Sequence, residues 1–453
     1  MRTFVEKILN APAGSIVIRR PDIVMSHDNS ARIRKIFEEM GGEKLKDAGK
    51  LLVVLDRKMT GTTDELIRDY NSIHRFMDEQ KVEHFFDCDK GICHEILAGQ
   101  LKPGGLIVGN DSHTCTAGAF NCMAVGLNKT ETAVLWKEGE MWFRVPETIK
   151  ISLKNRLPEG VYAKDLALWI MGMLREENVA YKSLEFHGEG VPALSIADRM
   201  TLANVTAEMG LKSAAFPPDD KLADYFGDYA VQGVWADRDA MYYKEFEVDL
   251  AQVIPLVMEV GEINEIKAPG EWGRLEIQQG LIGACASGRL EDLRVVARIL
   301  DGKKIASGFQ LSIVPASREI YLQAIQEGII DRLVKSGASI LGSSCGPCLG
   351  SSHMIMADTR RFITTVNSNS MRRLSAIGVE KYVASPATVA MTALTGVLTV
   401  EVERTDAKYP YWEMPKVWVT VNEFERRYHN RVWNYGDLNS IACEQLFDEA
   451  CTG

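Results

Sequence analysis

Short apolar runs that stop at polar or cysteine-bearing turns recur along this chain, and stretches of helical period separate several of them. Leu281 to Gly283 breaks at Ala284-Cys285-Ala286-Ser287-Gly288 and passes into Leu290 to Leu300, where Leu290, Leu293, Val296 and Ile299 fall near one face. The same unit repeats as a strand over Leu311 to Val314 and a helix from about Ser317 to Glu327. Ser339 to Leu341 then runs into Gly342-Ser-Ser-Cys345-Gly-Pro-Cys348. Successive βαβ units give a parallel sheet whose strands share one carboxyl edge, where ligands gather. Cys285 and the Cys345/Cys348 pair are therefore expected to meet. Further strands are expected at Leu51 to Leu55, ending at Asp56-Arg57, and at Gly105 to Val108, ending at Asn110-Asp111-Ser112-His113. Two more are expected at Phe362 to Val366, ending at Asn367, and at Lys381 to Ala384. A helix from about Ser195 to Met209, closed by Gly210, places Asn204 and Glu208 four residues apart on one face.

The chain has 453 residues, a length that suits about three domains of ~150 residues. The pattern places an α/β domain over 1–157, a second over 158–262, and a third, with the cysteines, over 263–400. Residues 401–453 form an aromatic-rich extension, read as packing on the main body in preference to contacting a second chain. A formal net charge of −10 leaves no broad basic field, which speaks against nucleic acid as a partner. Nine unevenly spaced cysteines and no secretory-type start point to thiols in a reducing cytoplasm, and no apolar run is long enough to span a bilayer.

Three thiolates without an evident fourth suit a [4Fe-4S] cluster that leaves one iron open, since soft ligands favour iron–sulfur or zinc. Zinc in a closed site needs four ligands, and His353 would have to supply the last. Gly283-Ala-Cys-Ala-Ser-Gly-Arg-Leu-Glu-Asp-Leu, the Cys-Gly-Pro-Cys-Leu-Gly run and Asn110-Asp-Ser-His-Thr-Cys115 together resemble the aconitase superfamily, in matching order from about residue 20 to about 400. The likeness is to the large subunits of isopropylmalate-dehydratase-type enzymes. It implies three α/β/α domains with parallel-rich sheets around a central iron–sulfur cleft, and reversible dehydration of a small hydroxy di- or tricarboxylic acid.

The resemblance also implies roles. Cys285, Cys345 and Cys348 would hold the cluster, with Asn204 and Asn367 hydrogen-bonded around it and Glu208 on the departing hydroxyl. Asp111, His113, His94 and Asp56 match acid–base and orienting positions, while His27, Ser112, Ser368 and Arg373 match substrate-facing ones. Two departures stand out: Arg57 replaces the family's histidine, and Ser368 replaces an arginine that grips a carboxylate. Arg57 is expected to supply the missing cation, which favours a substituted malate such as isopropylmalate, dimethylmalate or methylmalate. The serine base of the family lies on a swivelling domain that has no convincing copy here, Gly350-Ser-Ser-His353 being the nearest string. A separate small subunit is therefore expected, in a heterodimer or heterotetramer. The competing classes are an RNA-binding regulator, which the acidic charge opposes, and a redox carrier, which would use a fully ligated cluster.

Overall fold

The computed structural model describes residues 1–56, 63–88, 90–227, 233–261, 264–349, 359–373 and 378–399. Arg57, His353 and the 401–453 extension lie outside them, as does the side chain of Arg373. Among the described residues, no helix is long and apolar enough to cross a membrane.

Among the described residues, three parallel-rich sheets organise the fold, with one small antiparallel pair, Ile16–Arg19 against Met141–Arg144. The first sheet runs in the spatial order His84–Phe86, Leu51–Val54, Ile23–Ser26, Leu106–Gly109, Met123–Gly126, all parallel. Leu51–Val54 and Leu106–Gly109 are buried along their whole length, as parallel strands covered on both faces must be. The second sheet orders Ser213–Ala215, Ser183–His187, Thr148–Lys154 and Lys244–Asp249. In the third, Glu265–Lys267 and Val257–Glu259 form an antiparallel edge. Glu380–Ala384, Arg361–Thr364, Gln279–Gly283, Gln310–Val314 and Ser339–Ile340 continue it in parallel.

The α/β reading of the sequence thus holds, and the two strands that precede the cysteine turns, Gln279–Gly283 and Ser339–Ile340, flank Gln310–Val314 in one parallel run. The helix Leu290–Leu300 has the expected bounds, and the next is Arg318–Gln326 with Ser317 as its N-cap. Thr148–Lys154 pairs into the second sheet, so the sheets change between Arg144 and Thr148, ahead of residue 157. They change again between Asp249 and Val257. The helix expected to reach Met209 is α-helical over Ile196–Val205 and tightens into a 3-10 turn over Thr206–Met209. Gly210, at φ 76°, closes it in the left-handed region that glycine adopts without strain.

Candidate active site and metal centre

The carboxyl ends of the first and third sheets supply the site. His27 follows Ile23–Ser26, Asp56 follows Leu51–Val54, and Asp111 follows Leu106–Gly109. Cys285 follows Gln279–Gly283, Cys345 follows Ser339–Ile340, and Asn367 follows Arg361–Thr364. The edges touch: Cys345 N–H donates to the Asp56 carbonyl at 2.7 Å, while Asp56 Oδ2 accepts from Cys93 N–H at 2.8 Å. His27 is buried with its Nε2 2.6 Å from the Asn110 carbonyl oxygen.

Local backbone shapes the cysteine turn. Gly283 sits at φ 125°, and a Cβ there would lie 2.1 Å from the Val314 carbonyl oxygen of the neighbouring strand. Ala284 follows at φ 56°, a left-handed conformation that costs a non-glycine residue roughly 1–2 kcal/mol. Strain of this kind is held where surrounding packing over-determines it, and here it aims Cys285.

Asp111 organises two histidines. Its Oδ1 lies 3.0 Å from His94 Nε2 and 3.5 Å from His113 Nδ1, and it accepts from the His113 N–H at 2.8 Å, capping the segment Ser112–Phe120. His113 Nε2 reaches Glu208 Oε1 at 3.1 Å. The other Glu208 oxygen accepts from Ser368 Oγ at 2.6 Å and from the Asn369 N–H at 2.7 Å. Burial works against charge on both His113 and Glu208. The hydrogen bonds from Asp111 and Glu208 nevertheless hold His113 well above its ordinary value, and those from His113, Ser368 and Asn369 hold Glu208 below its own. Both directions favour an imidazolium beside a carboxylate. Ser112 is exposed beside Asp111.

A second network surrounds Cys285. Asn204 Nδ2 lies 3.6 Å from its sulfur and 2.8 Å from Thr116 Oγ1; Asn367 Nδ2 donates to Asn204 Oδ1 at 2.6 Å. Lys164, 2 % exposed, donates to Asn367 Oδ1 at 3.0 Å, and burial lowers its ammonium to about 8. Arg289 is also buried and donates to the Cys285 carbonyl at 2.8 Å and to Thr201 Oγ1 at 3.3 Å, with its Nε 3.4 Å from Glu95 Oε2. Sequence reasoning missed Lys164 and gave Arg289 no role. The signal for Lys164 was a charged pair, Lys164-Asp165, opening an otherwise apolar helix, Ala163–Met173.

Cys285 and Cys348 are buried and Cys345 is half-buried. Burial pushes the Cys285 thiol up to about 11 against the pull of His113, and Cys348 and Asp111 push the same way. Such a thiol becomes a thiolate only beside a strong cation, which a metal group supplies. His94, His113 and Cys285 also present ligand atoms within 4.8 Å of one another. Both ring nitrogens of His113 face carboxylates, Nδ1 at 3.5 Å from Asp111 and Nε2 at 3.1 Å from Glu208. Cysteines that follow strands of one sheet at its carboxyl edge are the soft donor chemistry that an iron–sulfur group takes.

The sequence profile of the aconitase family (aconitate hydratase) matches residues 6–261 and 261–396. The chain belongs to the aconitase family. Among its relatives in that family, the 3-isopropylmalate dehydratase large subunit 1 of Methanopyrus kandleri is 38% identical over 410 residues, covering 88% of this chain and 98% of that protein. A probable methanogen homoaconitase large subunit of Methanosarcina mazei is 37% identical over 384 residues, covering 83% of this chain and 97% of its own. The crystal structure of holo aconitase X from Thermococcus kodakaraensis has a TM-score of 0.49 and 14% identity, covering 78% of this chain and 85% of that one.

Proposed function

We propose that this hydro-lyase is the cluster-bearing large subunit of a dehydratase or isomerase acting on a small hydroxy di- or tricarboxylic acid. The observation that carries the reading is the His113–Glu208 ion pair set beside Cys285 and the paired Asn204 and Asn367 amides. Family membership implies an iron–sulfur cluster, and the reading assigns its ligands to Cys285, Cys345 and Cys348. A [4Fe-4S] cluster bound there with one open iron supplies Lewis acidity toward the hydroxyl that leaves.

The chain's own residues then handle protons and orientation. Glu208, kept ionised by three donors, offers Oε1 to the departing hydroxyl once His113 turns its proton toward that oxygen. Asp111 holds His113 and His94 in register through one carboxylate oxygen. His27, Asp56 and Ser112 border the same strand ends and are assigned to orienting the acid. Ser368 donates its hydroxyl to Glu208 and brings no charge, which leaves carboxylate binding to Arg57 and Arg373. The names of the relatives, dehydratase and homoaconitase large subunits, favour a substituted malate and a small-subunit partner that brings the base. Isopropylmalate, dimethylmalate and methylmalate are the candidates.

The test is anaerobic purification of this chain alone and with a small-subunit partner. Iron and sulfide in the chain, with turnover only in the pair, is the expected result. Stoichiometric zinc without sulfide, or turnover by the isolated chain unaffected by partner, overturns the reading.

A further inference from the structure

Burying an ammonium costs several kcal/mol unless charge or hydrogen bonds compensate it. Lys164 is buried, and among the described residues it makes no ion pair within 4 Å. Its sequence neighbour Asp165 is turned elsewhere, accepting from the Tyr162 and Leu256 N–H groups. What Lys164 does contact is one neutral amide oxygen, Asn367 Oδ1, at 3.0 Å. The negative groups that act on it from farther away are Glu208, Cys285, Asp292 and Cys348. Of these, Glu208 lies 3.1 Å from His113 Nε2 and Asp292 accepts from the Arg289 N–H at 3.1 Å.

The direction of the hydrogen bonds adds a second argument. An ammonium only donates, whereas an amide accepts at one end and donates at the other. Lys164 therefore fixes the oxygen of Asn367 toward itself, and the Asn367 nitrogen must face Asn204 Oδ1, at 2.6 Å. That in turn leaves the Asn204 nitrogen, not its oxygen, 3.6 Å from Cys285 Sγ. A flip at either amide would set two acceptors or two donors against each other.

We propose that Lys164 is a positioning residue for the cluster site: through Asn367 and Asn204 it presents an N–H to the Cys285 sulfur, and its buried ammonium adds positive charge to the site. The proposal rests on the cluster reading above, and extends it to a residue two amides removed from the sulfur. Both effects favour bound metal, and outer partners of this kind are worth about 10–100-fold in metal retention.

The experiment compares wild type, Lys164→Met and Lys164→Gln as anaerobic holoenzyme with the partner subunit. Iron and sulfide content, the rate of iron loss to a chelator and the cluster's midpoint potential are read. Lys164→Met removes donor and charge, and is expected to lose iron about 10–100-fold faster and to shift the potential negative. Lys164→Gln keeps a donor, so its iron loss should lie nearer wild type while its potential still shifts. Circular dichroism identifies a variant that fails to fold, in which case the potential of the other decides. Wild-type chelator kinetics and potential in both variants overturn the proposal. A wild-type protein without iron and sulfide overturns the cluster reading beneath it.

Discussion

Replacing Arg289 by Met isolates the contribution of one buried cation to the junction of the three sheets. Arg289 binds the carbonyl of Cys285 on the third sheet's edge, Thr201 on the helix Ile196–Val205, and Glu95 on the helix Cys93–Ala98. A hydrogen bond to a charged donor contributes about 1.5–3 kcal/mol, and removing one partner of a buried pair costs about 3–5 kcal/mol, with the two overlapping. The expected loss is therefore about 3–5 kcal/mol at neutral pH. Its pH dependence is the sharper test. Glu95 is mostly buried, with 16 % of its side chain exposed, and burial already raises its pKa against the pull of Arg289. Without that pull it rises further. A carboxyl with a raised folded pKa destabilises the fold as pH climbs above its unfolded value of about 4.3. The difference between wild type and Arg289→Met should accordingly be smallest near about pH 4.5, where only the lost hydrogen bonds to Cys285 and Thr201 count, and grow toward about pH 8. Adding Glu95→Gln removes the titrating group and should restore part of the loss. Thermal unfolding of all three proteins across that range is the assay. A difference that does not vary with pH, or a double variant no better than the single one, refutes the reasoning.

Four further outcomes are expected. Cys345→Ser should remove most of the iron from anaerobic protein, measured as iron and sulfide per chain. Glu208→Gln should lower turnover by about 10²–10⁴-fold. The same change should alter stability against pH: Glu208's contribution is present above about 4.5 and lost as pH falls through its depressed folded value, while that of His113 is complete below about 6.5 and lost as pH rises through its raised one. The variant should therefore lose stability most in the window between, with no change outside it counting for the pair. Arg57→His and Ser368→Arg, assayed on citrate, homocitrate, isopropylmalate and methylated malates, should move the ranking toward citrate or isopropylmalate; an unchanged ranking removes the relocated-carboxylate idea.

What was legible in the sequence was local. The run that ends at Gly283 and the Gly-Pro turn between Cys345 and Cys348 are short-range signals, and right-handed βαβ crossovers do the rest by bringing three strand ends together. Sheet membership is not local: Thr148–Lys154 reads as a strand from its own residues, but nothing within it says that its neighbours are Ser183–His187 and Lys244–Asp249. Lys164 was hidden for a related reason. A lysine at the first turn of a helix is ordinarily solvated, and only tertiary packing tells that this one points at Asn367.

His94, Asp111 and His113 precede Glu208 in the chain, and the three cysteines come later still. Synthesis from the amino end, with units folding as they emerge, thus presents these cysteines after the first two sheets and before the strands Arg361–Thr364 and Glu380–Ala384 that complete the third. By the time Cys345 leaves the ribosome, the Asp56 carbonyl that receives its N–H, the Thr116 hydroxyl and the Asn204 amide have been made. Asn367 and Ser368 come after it, so the amide pair with Asn204 and the hydroxyl on Glu208 close the site last.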